Sequence, residues 1–192
     1  VGTASKRDDA RGGEQSTAHV VVILLIVAFG VLALPWMVLR KLEGRALPSG
    51  GGPGSGVTAD DLAQGGKIYY RSCTSCHQAR GEGKPGRYPP LVGTSWLLDD
   101  AETPIRLLLL GATGPMEVNG VVYNDVMPNL GVTLSDEEIA LVLTYVRSSW
   151  GNSAPAITKD DVARVRASLG DRQAPWAGGA ELAAARATRV LP

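Results

Sequence analysis

Three residues within five positions carry the chemistry of this chain: Cys73, Cys76 and His77, in the run Cys-Thr-Ser-Cys-His. Cys-x-x-Cys-His is the attachment pattern for c-type haem. On one helical turn the two thiols reach the two vinyl groups of a porphyrin and form thioethers. The adjacent imidazole is then directed at the iron from one face. The run therefore predicts one haem c, attached through Cys73 and Cys76, with His77 as a metal ligand. Two other chemistries use similar residues. A structural zinc site needs about four N or S ligands, and the chain has 2 Cys and 2 His in total. The second histidine, His19, stands beside a long apolar run and reads as a boundary residue. A thioredoxin-like pair would want a βαβ pattern around it, which the sequence does not show.

A haem iron held by histidine on one face has a second face to fill. Methionine thioether is the common partner in electron-carrying cytochromes and raises the potential. The chain has 3 Met. Met37 belongs to the apolar run. Met116 precedes Glu117 and Val118 in a short strand or turn. Met127 lies in Tyr-Asn-Asp-Val-Met-Pro, where Pro128 restricts it to extended backbone and gives its side chain a defined direction. Met127 is the preferred sixth ligand and Met116 the alternative. Core filling is the plain reading of any methionine.

The elements that must position these groups are short. Thr58-x-x-Asp61 opens a helix that continues through Gly65, Ile68 and Tyr69. Residues 81–90 are rich in Gly and Pro and read as loop. Residues 104–110 read as a short helix stopped by Gly111, and 120–131 as irregular. Ser135-x-x-Glu138 is a capping box. It opens the clearest helix, with Ile139, Val142, Leu143 and Val146 at helical spacing. One short helix is expected over 159–169 and another around 181–189.

Before this region, residues 20–39 contain no charged side chain. Twenty helical residues span roughly 30 Å, the thickness of a bilayer hydrocarbon core. A soluble helix would show a polar face. Arg40 and Lys41 end the run, with Trp36 at the expected interfacial position. A cleaved signal peptide would have a shorter apolar region and a small-residue cleavage site, which Arg40–Glu43 do not provide. The expected organisation is a cytoplasmic segment at 1–17, a transmembrane helix at 18–41 and a Gly/Pro/Ser-rich linker at 42–57. A haem domain at 58–151 and a partly helical C-terminal tail at 152–192, a possible docking segment, complete it.

Lys+Arg and Asp+Glu balance at 19 each, which argues against nucleic-acid binding. The balance hides unlike parts. Residues 58–150 hold 7 Lys+Arg against 11 Asp+Glu, a net of −4, while each flank holds 6 against 4. An acidic domain can steer a basic partner patch, although such an excess is usually only a solvated surface.

Residues 58–150 resemble a class I monohaem cytochrome c domain. More narrowly, they resemble the cytochrome subunits of bacterial quinoprotein dehydrogenases and related membrane respiratory complexes. The resemblance rests on Cys-Thr-Ser-Cys-His at 73–77, Tyr-Pro-Pro-Leu-Val-Gly-Thr at 88–94 and Gly-Pro-Met-Glu-Val-Asn-Gly at 114–120. It continues in Tyr-Asn-Asp-Val-Met-Pro at 123–128 and the run from Leu134 to Asn152. It covers about half of the chain. It implies a mainly α fold, a few short helices around one haem, here preceded by the single transmembrane helix. It also implies that Gly65 lets the first helix cross the last near Tyr145. The carbonyl of Pro89, or of Pro90, would orient the imidazole of His77. Leu91, Trp96 and Leu130 would wall the haem pocket, and Tyr123, Asn124 and Arg106 would be polar partners of the propionates.

The implied function is one-electron transfer in a respiratory or photosynthetic chain, as a tethered carrier or as a cytochrome subunit of a larger complex. Such a complex would be a quinol oxidoreductase, a terminal oxidase or a dehydrogenase. The protein would not itself be an enzyme and would take no small-molecule substrate. Its partners would be the membrane, through one helix, and protein redox partners. The alternatives are a peroxidase-like haem enzyme or sensor with an exchangeable iron ligand, and a structural accessory subunit. In this family haem is attached outside the cytoplasm. That implies a single-pass protein of the bacterial inner membrane with its haem domain in the periplasm or on the outer face.

Overall fold

The computed structural model describes residues 56–191. The segments expected at 1–17 and 18–41, and most of the linker at 42–57, lie outside the described residues. Among the described residues no helix is long and apolar enough to cross a membrane.

Two capped helices form the frame. Helix α1 (Ala59–Ser72) starts at Thr58, whose side chain accepts from the Asp61 amide while the Asp61 carboxylate accepts from the Thr58 amide. After the one-turn helix α2 (Thr74–His77), the chain runs through a loop to α3 (Ser95–Leu98) and α4 (Glu102–Leu110). Helix α5 (Asp136–Ser148) has the second capping box, Ser135 with Glu138. Each such cap is worth about 1 kcal/mol. α5 buries Ile139, Val142, Leu143 and Val146 on one face. Full burial of such a side chain stabilises by about 1.5–3 kcal/mol.

Helix α1 crosses α5 through Gly65. A Cβ there would lie 2.3 Å from the Leu141 carbonyl oxygen and 2.8 Å from the Tyr145 Cβ. The absence of a side chain is therefore what lets the helices touch. The crossing is sealed by Tyr69, Tyr145 and Trp150, whose ring centroids lie 5.0–5.8 Å apart. That separation is in the favourable range for tilted aromatic pairs.

Strand structure is sparse. The stretch around 120–131, read as irregular, contains part of a hairpin. β2 (Met116–Val118) and β3 (Val121–Tyr123) pair antiparallel, with Met116 opposite Tyr123. Asn119 and Gly120 make the turn at φ 52° and 78°. An Asn-Gly turn with both residues at positive φ matches the right-handed strand twist. The two-residue strand β1 (Ala112–Thr113) pairs parallel with β4 (Trp176–Ala177).

Residues 152–191 do not form a detached tail. Helix α6 (Lys159–Ser168) packs on α4 and α5, burying Val162 and Val165. β4, helix α7 (Gly179–Ala185) and the 3₁₀ turn Arg186–Thr188 follow. Ile157, Trp176, Leu182 and Leu191 join the same core as α1, α4 and α5. The apolar residues of this segment stand singly among charged ones, so local hydropathy concealed their burial.

A buried ion pair ties the segment down. Arg106 and Glu102, one turn apart on α4, are both almost fully enclosed. Arg106 donates to the carbonyls of Ala185 at 3.0 Å and Thr188 at 3.2 Å. The second Glu102 oxygen accepts from the amides of Val190 at 2.8 Å and Leu191 at 3.1 Å. A buried pair is favourable only when its remaining donors and acceptors are matched, and here the C-terminal backbone matches them.

Candidate functional site

Cys73 closes α1, and its amide donates to the Tyr69 carbonyl at 2.9 Å. The His77 amide donates to the Cys73 carbonyl at 2.9 Å, so the Cys-x-x-Cys-His run is wound into a helical turn. Gln78 ends it at φ 64°, a backbone conformation unusual for a residue with a side chain. The Tyr69 hydroxyl donates to the Gln78 carbonyl and holds that turn against α1. Cys73 and Cys76 form no disulfide. Burial, with Cys76 adding to it, pushes the Cys73 thiol up to about 11, so it carries no charge at neutral pH.

His77 Nδ1 lies 2.9 Å from the Pro89 carbonyl oxygen. A carbonyl only accepts, so Nδ1 carries the proton and donates. Burial lowers the imidazole's proton affinity, against the opposing pull of the Pro89 bond. The result is a neutral ring whose Nε2 lone pair is available, the form a metal requires. The loop that presents Pro89 is itself fixed. The Gly83 amide donates to the His77 carbonyl at 3.0 Å and the Leu91 amide to the Gly81 carbonyl at 2.7 Å. Gly83 has φ 68°, and a Cβ there would sit 2.5 Å from the Tyr88 carbonyl oxygen. Pro90 lines the same cleft, but the imidazole bond goes to Pro89.

Cys73, Cys76, His77, Pro89, Leu91, Trp96, Tyr123 and Met127 all line one cleft, whose empty volume with its open mouth is about 1160 Å³. Leu130 lines it too. Trp96 is set by its indole N–H, which donates to the Glu117 carbonyl at 2.7 Å. Met127 is set by its backbone. Its amide donates to the Ala112 carbonyl at 2.9 Å and its carbonyl accepts from the Ala112 amide at 3.0 Å. Gly111 makes room for this bridge: a Cβ there would lie 2.4 Å from the Met127 carbonyl oxygen. Met116 also lines the cleft and is half-buried.

Two of the residues expected near the haem lie away from the cleft lining. Asn124 is exposed and is not among the cleft-lining residues. Its neighbour Tyr123, the last residue of β3, is buried and lines the cleft. Arg106 is engaged by Glu102 and the C-terminal backbone and does not line the cleft. Reading from the sequence also missed the charged pair at the cleft, Arg87 Nε to Asp125 Oδ2 at 3.2 Å. Thirty-eight residues separate the partners, so spacing carried no signal.

A cytochrome c profile matches residues 62–150. Cytochrome c-552 of Thermus thermophilus is 40% identical over 114 residues, 55% of this chain and 86% of that protein. This chain belongs to the cytochrome c family. The cytochrome c subunit of gluconate 2-dehydrogenase from Pantoea cypripedii is 35% identical over 113 residues, 56% of this chain and 25% of that protein. The cytochrome subunit of fructose dehydrogenase from Gluconobacter japonicus is 35% identical over 127 residues, 64% of this chain and 26% of that protein. A cytochrome c carries electrons, and its haem c is bound covalently through the cysteine pair, here Cys73 and Cys76. The residues fit that group. Two cysteines stand on one helical turn, a neutral imidazole follows them, and the cleft is walled by Leu91, Leu97, Leu107 and Leu130.

Proposed function

We propose that this chain is a membrane-tethered monohaem cytochrome c with His77 and Met127 as the axial ligands, passing single electrons between protein partners. The observation that carries the reading is the juxtaposition of a neutral His77, oriented by Pro89 at 2.9 Å, with Met127 in the lining of the same apolar cleft. Bound haem would supply the Fe(III)/Fe(II) couple. The chain's own residues hold His77 in one tautomer, fix the Met127 backbone against Ala112, and surround the site with apolar side chains that exclude water. The paired Arg87 and Asp125 add charge to the lining without leaving either side chain unpartnered.

The uncharged run at residues 20–39 supports a single membrane anchor, with the haem domain in the periplasm or on the outer face. Several relatives are cytochrome subunits of dehydrogenases. They support a dehydrogenase or another respiratory complex as donor or acceptor. A Gly-rich composition between anchor and domain suits a carrier that swings between partners.

Met127→Ala tests the ligand assignment. The thioether-to-iron charge-transfer band should vanish and the potential should fall, because loss of a thioether destabilises Fe(II) relative to Fe(III). Retention of both passes the role to Met116. Gentle detergent extraction followed by native separation tests the rest. Recovery in the soluble fraction without detergent would overturn the anchor.

A further inference from the structure

The geometry points to the C-terminal segment, through Trp176, as the brace that holds Met127 in the haem cleft. This rests on Met127 being the sixth ligand. Ala112 turns its amide and carbonyl toward Met127, at 3.0 and 2.9 Å. Successive backbone groups of a strand point to opposite edges. The groups flanking Ala112 therefore face the other way, and there the Trp176 amide donates to the Gly111 carbonyl at 3.1 Å. β1 is thus the middle of a three-ply ribbon, with Met127 on one edge and β4 on the other.

β1 has two residues and would be a poor anchor alone. Trp176 anchors it. Its ring is buried, and its indole N–H donates to the Arg106 carbonyl at 3.0 Å in the last turns of α4. Arg172 covers the ring at 4.1 Å from the centroid and is itself held by Glu181. The segment also backs a second wall of the cleft. The Gly179 amide donates to the Pro115 carbonyl at 2.9 Å, and a Cβ on Gly179 would lie 3.2 Å from the Trp96 ring. Arg186 covers that ring from 4.9 Å and pairs with Asp100 at 3.3 Å. Residues 176–186 therefore touch β1, the start of β2 and Trp96, the elements that carry the Met127 side of the site. Trp176 is a positioning residue: it acts on the iron only through Met127.

The test compares Trp176→Ala and Trp176→Phe with Val162→Ala, a buried site in α6 outside the ribbon, all in the full-length, haem-loaded chain. The probe is imidazole titrated against the ferric protein, where it competes with the thioether for iron. Trp176→Ala should raise imidazole affinity at least tenfold and lower the potential. Trp176→Phe, which keeps an apolar ring but loses the bond to Arg106, should fall between. Val162→Ala should lower the unfolding midpoint and leave imidazole affinity within twofold of wild type. If Trp176→Ala does not accumulate, Trp176→Phe alone decides, together with faster amide hydrogen exchange at Met127. Equal imidazole affinity for wild type and both Trp176 variants overturns the brace. Met127→Ala runs alongside: if it binds imidazole no better than wild type, the ligand assignment is what has failed.

Discussion

At the scale of single residues, the groups of greatest consequence are neutral ones. Burial keeps the Cys73 thiol and the His77 imidazole uncharged in the cleft, and the bond from His77 Nδ1 to Pro89 decides which ring nitrogen remains free. A charged group is enclosed in the same core when it is paired and hydrogen-bonded, as Glu102 and Arg106 show. Replacing Glu102 by Ala removes the partner of an enclosed guanidinium and two acceptor bonds to the C-terminal backbone. Such a change typically costs about 3–5 kcal/mol. Urea unfolding of Glu102→Ala should show it. A loss below about 1 kcal/mol would mean that the guanidinium finds water when its partner goes. The expected helix began at 104, so the pairing of Glu102 with Arg106 across one turn was not read from the sequence. Burial was not readable, because the enclosing residues come from positions 185–191.

At the scale of elements, the crossing of α1 over α5 is the most sensitive to shape. Gly65→Val must push the helices apart, since even a Cβ lies 2.3 Å from backbone. Overpacking of this kind costs about 1–3 kcal/mol. Because α1 ends in Cys73, the shift also moves the attachment turn. Lower stability and poorer haem incorporation should appear together in Gly65→Val. Stability loss with full incorporation would separate the crossing from the site.

The start of α5 adds a pH dependence. The Ser135 amide, then Arg71 and the Ser135 hydroxyl, hold the Glu138 carboxyl below its ordinary value of 4.5. A depressed carboxylate contributes stability that is present above its unfolded value and lost as pH falls through the folded one. The stability gap between wild type and Glu138→Gln should therefore be open at pH 7 and narrow as pH falls below the ordinary carboxyl value of 4.5. An equal gap at pH 7 and pH 3 would contradict the linkage. The capping box itself was plain in the sequence, because its partners are three residues apart. The Arg71 contact was not, because it spans 67 positions.

At the scale of the whole molecule, the described chain is built around a cleft that its own side chains do not fill. With both cysteines replaced by Ala and no haem incorporated, Leu91, Leu97, Leu107 and Leu130 would face water or collapse inward. Either outcome forfeits burial worth several kcal/mol, which for a domain of this size lowers Tm by roughly 10 °C or more. Calorimetry of the haem-loaded and haem-free forms measures this, and identical midpoints would mean that the cleft closes without cost. The C-terminal segment then counts as part of the site's frame, because the ion pair, Trp176 and Trp96 join it to the Met127 side of the cleft.

The chemistry of this protein was carried by local order. Five consecutive residues define the attachment of haem, and two capping boxes mark the frame helices, because covalent and capping geometry depend on neighbours in the chain. Which proline carbonyl orients His77 needed the fold, and the fold brings both Met116 and Met127 to the cleft. The places of Asn124 and Arg106, the pairing of Arg87 with Asp125 and the role of residues 152–191 were decided by tertiary structure alone. The ion pair and the docking of 152–191 depend on contacts between segments 30 to 90 residues apart, and the pattern of burial that encloses a charge or a lone valine is created only when those segments meet.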